Sequence, residues 1–291
     1  MIRTVLCPVD FSPISARELH LAAQLCRRFQ ARLVVQHSIA GEVPPLLGVS
    51  WMHAEEHRTE EQATGADSRN RLRDLLASIP RTVKAEGILT RGQLDRTLLD
   101  LAAALPADLI VIGTHGRSGI EHRSLTDRVI LDAPCPVLTT RDESSDEAFP
   151  RIDNADPDTI RTLVPMDFSP HSRLALDYAV ALLKWLPLEL HVLHVDLFGN
   201  EDEGETLELL RNQVPAELRD RIVIQMRRGS VSREVLRGET ELQARLIVMG
   251  THHKAWLRRL FSDSTARTLL HASFCPVWFV PEVVSVHPTE A

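Results

Sequence analysis

The chain has 291 residues, 44% of them hydrophobic and 25% charged, enough for two domains at roughly 150 residues each and far from the profile of a disordered chain. Its 33 Lys and Arg against 40 Asp and Glu leave a formal net charge of −7, which argues against a broad basic surface for nucleic acid or anionic lipid. Neither an N-terminal signal peptide nor a run of about 18 apolar residues is present, so the expectation is a cytoplasmic protein with no nucleic acid and no membrane as partner.

Thr4–Val9 is a short β-branched run, and Ser12-Pro13 after it is the N-cap and N1 signature of a helix start. The helix repeats apolar residues at Ala16, Leu19, Ala23 and Cys26, one face at helical period. Leu33–Gln36 returns to strand and runs into His37-Ser38. A polar helix fits His57–Ser78, and Val83–Leu89 reads as a further strand. After Gly92 comes a helical run through Leu94, Leu98, Leu101, Ala102 and Leu105. Leu109–Ile112 is a continuous apolar strand, Val129–Leu131 belongs to a short helix, and Val137–Thr140 is the last strand. Strands alternating with helices and apolar on both faces predict a parallel sheet covered on two sides. In such sheets ligands sit beyond the carboxyl ends of the strands, where Pro8-Val9-Asp10, His37-Ser38 and Gly113-Thr114-His115-Gly116 fall.

This pattern occurs twice. Leu6-Cys7-Pro8-Val9-Asp10-Phe11-Ser12-Pro13 returns as Leu163-Val164-Pro165-Met166-Asp167-Phe168-Ser169-Pro170, and His37 returns as His194 at the same spacing. Arg91-Gly92 matches Arg228-Gly229, and Ile110-Val111-Ile112-Gly113-Thr114-His115 matches Ile247-Val248-Met249-Gly250-Thr251-His252. The second copy is shorter between its second and third strands, where the first carries Pro44-Pro45 and a long polar segment. Cys135-Pro136-Val137 matches Cys275-Pro276-Val277. The expected organisation is a first domain at 1–141, an acidic Ser- and Pro-containing linker at 142–158, a second domain at 159–282 and a tail at 283–291.

Pro-Val-Asp-Phe-Ser at 8–12, the strand ending in His37, the Gly-Thr-His loops and the Cys-Pro-Val last strands together resemble the universal stress protein family, over nearly the whole chain and twice. The resemblance implies two tandem, open, five-stranded parallel α/β domains of Rossmann-like type, similar to adenine nucleotide alpha hydrolases. It also implies pairing of the domains through the last strand and, in one subgroup, ATP binding. An intramolecular pseudo-dimer of the two domains is therefore expected, because each sheet edge needs cover; a homodimer of such pairs is left open, and the protein partner is unknown.

In the ATP-binding subgroup the loop reads G-x-x-G-x9-G-[ST], with glycines allowing close backbone approach and the final pair opening a helix whose N–H groups hold phosphate. Neither copy fits it throughout. The first keeps Gly113 and Gly116 but has Arg123-Ser124 after six intervening residues; the second keeps Gly250 and the nine-residue spacing but has His253 and Asp263-Ser264. Two readings stand for several positions. Ser124 is either a phosphate contact or the cap of an S-x-x-D capping box with Asp127. Asp10 either closes an Asx turn or lies beside the adenosine, as the family places it. Arg117 and Arg123 either reach phosphate oxygens or are solvated. Asp263 reads as a helix cap and would repel phosphate.

The expected adenine-nucleotide site, ATP included, is thus in the first domain: Pro8, Asp10 and Ser38 toward the adenosine, and Gly113, Gly116, Arg117, Arg123 and Ser124 toward the phosphates. No metal site is expected: His53 and His57 share a helical spacing but lack the H-E-x-x-H order and an obvious third ligand, and the pair His252-His253 is discounted for similar reasons. The four cysteines, Cys7, Cys26, Cys135 and Cys275, are scattered with no C-x-x-C pair and read as small core residues. No P-loop, paired catalytic carboxylates at motif spacing or G-x-S-x-G elbow occurs, so no catalytic residue is assigned. Three functions are left in contention: an ATP-responsive stress module, a nucleotide-free partner-binding stress protein, and a slow ATPase.

Overall fold

The structure is a computed structural model and describes residues 2–39, 54–114, 125–141, 159–251 and 265–282. These fall into two compact units, Met1–Val111 and Ile112–Ala291. The expected linker and tail lie outside the described residues.

In the first unit, β1 (Thr4–Pro8), β2 (Arg32–Ile39) and β3 (Lys84–Arg91) run parallel, and β4 (Leu109–Thr114) begins alongside β1 and ends in the second unit. The order β3-β2-β1-β4 follows from the pattern of apolar runs. Val5, Leu6 and Cys7 of β1, Leu33 to Val35 of β2 and Leu109 to Val111 of β4 are all buried, and each such side chain contributes about 1.5–3 kcal/mol on leaving water. The helices are α1 (Pro13–Phe29), α2 (Ala54–Ala77) and α3 (Leu94–Ala104). Helix α1 starts where the sequence places it: Ser12 is the N-cap, its hydroxyl accepting from the Ser15 N–H, and Pro13 opens the first turn. Helix α2 starts three residues before the expected span, and β4 runs two residues past it.

The second unit contains α4 (Leu125–Asp132) and β5 (Val137–Arg141), then a complete second repeat: β6 (Ile160–Met166), α5 (Pro170–Leu182), β7 (Leu188–Asp196), α6 (Glu203–Gln213), a short 3-10 turn, β8 (Val223–Arg228), α7 (Val231–Leu242), β9 (Leu246–Thr251), α8 (Thr265–Ala272) and β10 (Val277–Pro281). Its sheet order is β5-β10-β9-β6-β7-β8. The five strands of the second repeat are all parallel, whereas β5 meets β10 antiparallel. That pairing explains why the compact division precedes the repeat boundary: β5 belongs to the first repeat in sequence and to the second unit in packing.

Two details show how tightly this unit is built. Glu239 of α7 is buried, and its Oε1 accepts from the Ser273 hydroxyl at 2.9 Å and from the N–H groups of Phe274 and Cys275 at 2.7 Å each. It thereby fixes the turn that feeds β10; the first repeat has Ala102 at the matching place. Gly250, the first glycine of the loop motif in the second copy, has a packing role, because a side chain there would run into the backbone carbonyl of His171 on α5.

All four cysteines are buried, in keeping with their reading as core residues. Burial pushes the Cys26 thiol up to about 12. Cys7 and Cys275 are likewise raised, first by burial and then by the carboxylates of Glu18 and Glu239 respectively. Thiols held protonated this way are poor nucleophiles. Among the described residues, no helix is long and apolar enough to cross a membrane, and no group of three or more His, Cys, Asp or Glu is placed to hold a metal.

The glycine geometry makes a paired prediction. Gly250→Ala forces a methyl onto backbone and should lower stability by about 2 kcal/mol or more. Gly238→Ala in α7 adds a methyl 3.5 Å from the Leu163 and Leu193 side chains, ordinary contact, and should raise stability by up to about 1 kcal/mol through helix propensity. Thermal unfolding of the two variants checks both; a Gly250→Ala protein as stable as the parent would contradict the α5–β9 packing.

Candidate functional site

The carboxyl end of β1 is shaped by three consecutive constraints. Pro8 closes the strand, and the Val9 N–H donates to the Gln36 carbonyl at 2.8 Å. The Val9 carbonyl then accepts from Nδ1 of His37, also at 2.8 Å. The chain must next turn into α1, and it does so with Asp10 Oδ1 accepting from the Ser12 N–H at 2.9 Å while Phe11 adopts φ 60°. A bulky side chain in the left-handed region costs about 1–2 kcal/mol. The ring gains partners in exchange. It packs on the His37 imidazole with centroids 4.2 Å apart, and the Arg71 guanidinium of α2 lies over it at 4.4 Å, a cation–π contact worth about 0.5–1 kcal/mol at an exposed place.

Ser38, next along β2, donates its hydroxyl to the Gly92 carbonyl at 2.8 Å. Gly92 has φ 124°, and its N–H donates to the Ile39 carbonyl at 3.2 Å, so a residue without Cβ is needed where β3 turns into α3. The Gln36 amide donates to the hydroxyls of Thr90 and Thr97 beneath this turn. The ends of β1, β2 and β3 are thereby tied into one polar rim.

Of the residues nominated from sequence, Pro8 (buried), Asp10 (exposed) and Ser38 (half-buried) stand together at the carboxyl ends of β1 and β2. Asp10 makes the Asx turn of its simpler reading, and Ser38 has a turn-fastening role of its own. Gly113 is the penultimate residue of β4, its carbonyl accepting from the Thr126 hydroxyl at 3.0 Å. Gly116, Arg117, Arg123 and Ser124 lie outside the described residues, as do His53, His252, His253 and Asp263 and the side chain of His57. Asp127, the partner of Ser124 in the capping-box reading, is buried and faces His271 Nε2 at 3.6 Å. Sequence reasoning missed Phe11, His37 and Arg71 as a stack. Phe11 and His37 recur in both copies and could have been flagged, whereas Arg71 sits in a polar helix with no pattern to single it out.

The second repeat reproduces the same strand end. Asp167 Oδ1 accepts from the Ser169 N–H at 3.0 Å, Phe168 adopts φ 60°, and His194 Nδ1 donates to the Met166 carbonyl at 2.8 Å. Its surroundings differ. His194 Nε2 lies 2.8 Å from Oε2 of Glu201, which also accepts from the Thr206 hydroxyl at 3.4 Å.

Glu201 is held there by Asp196, the last residue of β7. The Asp196 carboxylate is buried and accepts from the N–H groups of Phe198 at 3.1 Å, Gly199 at 2.7 Å and Glu201 at 3.0 Å. Arg228 Nε stands 3.9 Å away. Burial by itself would raise the Asp196 pKa; the three backbone donors, with Arg228, outweigh it and hold the carboxyl below its ordinary value. The turn so fixed presents Leu197 and Phe198 outward, 55% and 84% exposed. The first repeat has Ile39 where Asp196 stands.

Because the folded-state pKa of Asp196 is depressed, its contribution is fully present above the ordinary Asp range and is lost as pH falls through the lower folded value. Asp196→Asn should therefore reduce thermal stability at neutral pH, with the difference from the parent shrinking below about pH 4. A difference that stays constant from pH 7 to pH 2 would show that the charge has no part in holding this turn.

Against known proteins, the model of the universal stress protein family matches residues 1–141 and 160–281. A universal stress protein of Synechocystis is 31% identical over 147 residues, 47% of this chain and 85% of that protein. One from Thermus aquaticus is 28% identical over 144 residues, 48% of this chain and 100% of that protein. The crystal structure of a universal stress protein from Archaeoglobus fulgidus superposes with a TM-score of 0.68 at 22% identity, covering 96% of this chain and 98% of that one. With the repeated strand ends and the parallel five-stranded second repeat, these matches establish that the chain belongs to the universal stress protein family, as a tandem of two such domains.

Proposed function

We propose that the chain is a binding and regulatory protein of the stress response, acting in the cytoplasm rather than as a dedicated enzyme, and that its first repeat takes an adenine nucleotide. The observation that carries this reading is a reversal of charge at two otherwise matching strand ends. Arg71 lies over Phe11 in the first repeat, while the Glu201 carboxylate is bonded to His194 in the second. A polyanionic ligand is attracted by the former and repelled by the latter. In this reading Pro8, Asp10 and Ser38 meet the adenosine, and Gly113, Gly116, Arg117, Arg123 and Ser124 meet the phosphates, as the resemblance to the ATP-binding subgroup suggests. The two domains, 1–141 and 159–282 with a linker at 142–158, form an intramolecular pair, supported by the antiparallel joining of β5 and β10, which covers an edge that each repeat would otherwise leave open.

A second reading, partner binding without nucleotide, is favoured by the Leu197-Phe198 tip. Two large apolar side chains, 55% and 84% exposed, are held out by that turn.

The test begins with protein purified without added ligand, from which acid treatment should release adenine nucleotide. Calorimetric titration of stripped protein with ATP should give one site per chain, weakened about tenfold by Arg71→Glu or Asp10→Ala and unaffected by Glu201→Gln. Two sites per chain, or full affinity in the Arg71→Glu protein, would overturn the assignment to the first repeat, and turnover of many ATP molecules per second would overturn the non-enzymatic reading. Absence of any nucleotide binding would leave the partner-binding reading, for which a photo-crosslinking residue at position 198 should capture one discrete protein that the same residue at Glu217 does not.

A further inference from the structure

β5 and β10 hold equivalent places in the two repeats without carrying equivalent side chains. With Cys135-Pro136-Val137 aligned on Cys275-Pro276-Val277, Leu138 stands where the second repeat has Trp278, and Thr139 where it has Phe279. The antiparallel register sets Val277 opposite Thr139, Trp278 opposite Leu138 and Phe279 opposite Val137. The local two-fold of this pairing therefore passes through the couple Leu138–Trp278, the one place where a position meets its own counterpart. Both residues are fully buried. The Trp278 indole lies against Tyr178 of α5, with centroids 5.8 Å apart, and the first repeat has Leu21 at the position matching Tyr178. Beside the couple, the Thr139 hydroxyl donates to the Val277 carbonyl at 3.2 Å, a bond that Phe279 at the matching position cannot return.

We infer that the two last strands are complementary to each other and not to themselves, so that each selects the other repeat of its own chain over the same repeat of a second chain. This rests on the intramolecular pair proposed above and adds the residues that make it selective. Residues directly opposed on antiparallel strands hold their Cβ atoms about 5 Å apart, so the two central side chains share one volume. Joining β10 to a second β10 would set Trp278 against Trp278, each indole already backed by Tyr178. Joining β5 to a second β5 would set Leu138 against Leu138 and leave unfilled the space by which a Trp side chain exceeds a Leu. Close-packed interiors accept neither excess nor void. The mixed couple avoids both, and the mismatched pairings are disfavoured by the same side chains that favour the correct one.

Two measurements on the full chain test this. Cysteine pairs report the partner: Thr139→Cys with Val277→Cys should oxidise to an intrachain disulfide at monomer mass, while Val137→Cys with Thr139→Cys, which would face each other only across two β5 strands, should give no covalent dimer. A thermal-unfolding cycle reports the cause: Leu138→Trp and Trp278→Leu should each lower the midpoint by about 5 °C or more, and the double variant should recover at least half of the summed loss. Covalent dimer from the second cysteine pair would overturn the selectivity. An intrachain disulfide together with strictly additive midpoints would leave the pairing intact and overturn the role of the Leu138–Trp278 couple. Failure of both cysteine pairs to oxidise would overturn the pairing itself.

Discussion

In both repeats the first strand ends on a carbonyl that is taken by a histidine from the end of the second strand: Val9 by His37 and Met166 by His194. Much of the local architecture follows from this bond. It fixes two strand ends side by side at the point where the chain must leave the sheet and enter a helix. The reversal is then so sharp that a phenylalanine takes a left-handed conformation, an aspartate carboxylate closes the turn and a serine caps the helix. The strain at Phe11 and Phe168 is offset because the same turn delivers each ring onto the imidazole that began it.

On this shared frame the two repeats carry different charged side chains among the described residues. The first offers a stacked guanidinium, aromatic ring and imidazole, with Ser38 and Gly92 fastening the neighbouring strand ends. The second draws a carboxylate over the histidine and fixes it with a turn wound around Asp196. Duplication thus preserved the geometry that makes a strand end and left the side chains around it free to diverge, so that an arginine lies over the phenylalanine in one copy and a glutamate lies on the histidine in the other.

The second repeat also relies more on buried carboxylates as fasteners. Asp196 collects three backbone donors after β7, and Glu239 collects two backbone donors and a hydroxyl before β10. Ile39 and Ala102 stand at the corresponding places in the first repeat. A buried charge is tolerated only where donors converge on it, so each of these residues commits its turn to one conformation. One such turn holds out Phe198, and the other sets the path of β10 into its pairing with β5.

The sequence by itself determined the repeat, the parallel α/β class and the starts of α1 and α5, because these rest on local signals: Asp-Phe-Ser-Pro prescribes a turn, a cap and a first helical turn in adjacent residues. It also determined that the cysteines are core, since scattered single thiols within apolar runs have no closer chemistry to perform. What it could not determine is whatever depends on residues distant in the chain. Arg71 meets Phe11 only because α2 packs back toward the end of β1, and nothing in a polar helix distinguishes that arginine from its neighbours. Gly250 looked like a phosphate-loop glycine until α5 placed the His171 carbonyl against it. Nothing in the sequence singles out Asp196, and only the folded turn aims three N–H groups at it. The opposition of Leu138 and Trp278 was likewise invisible, because an antiparallel register between two strands far apart in sequence is decided by packing and not by either strand alone.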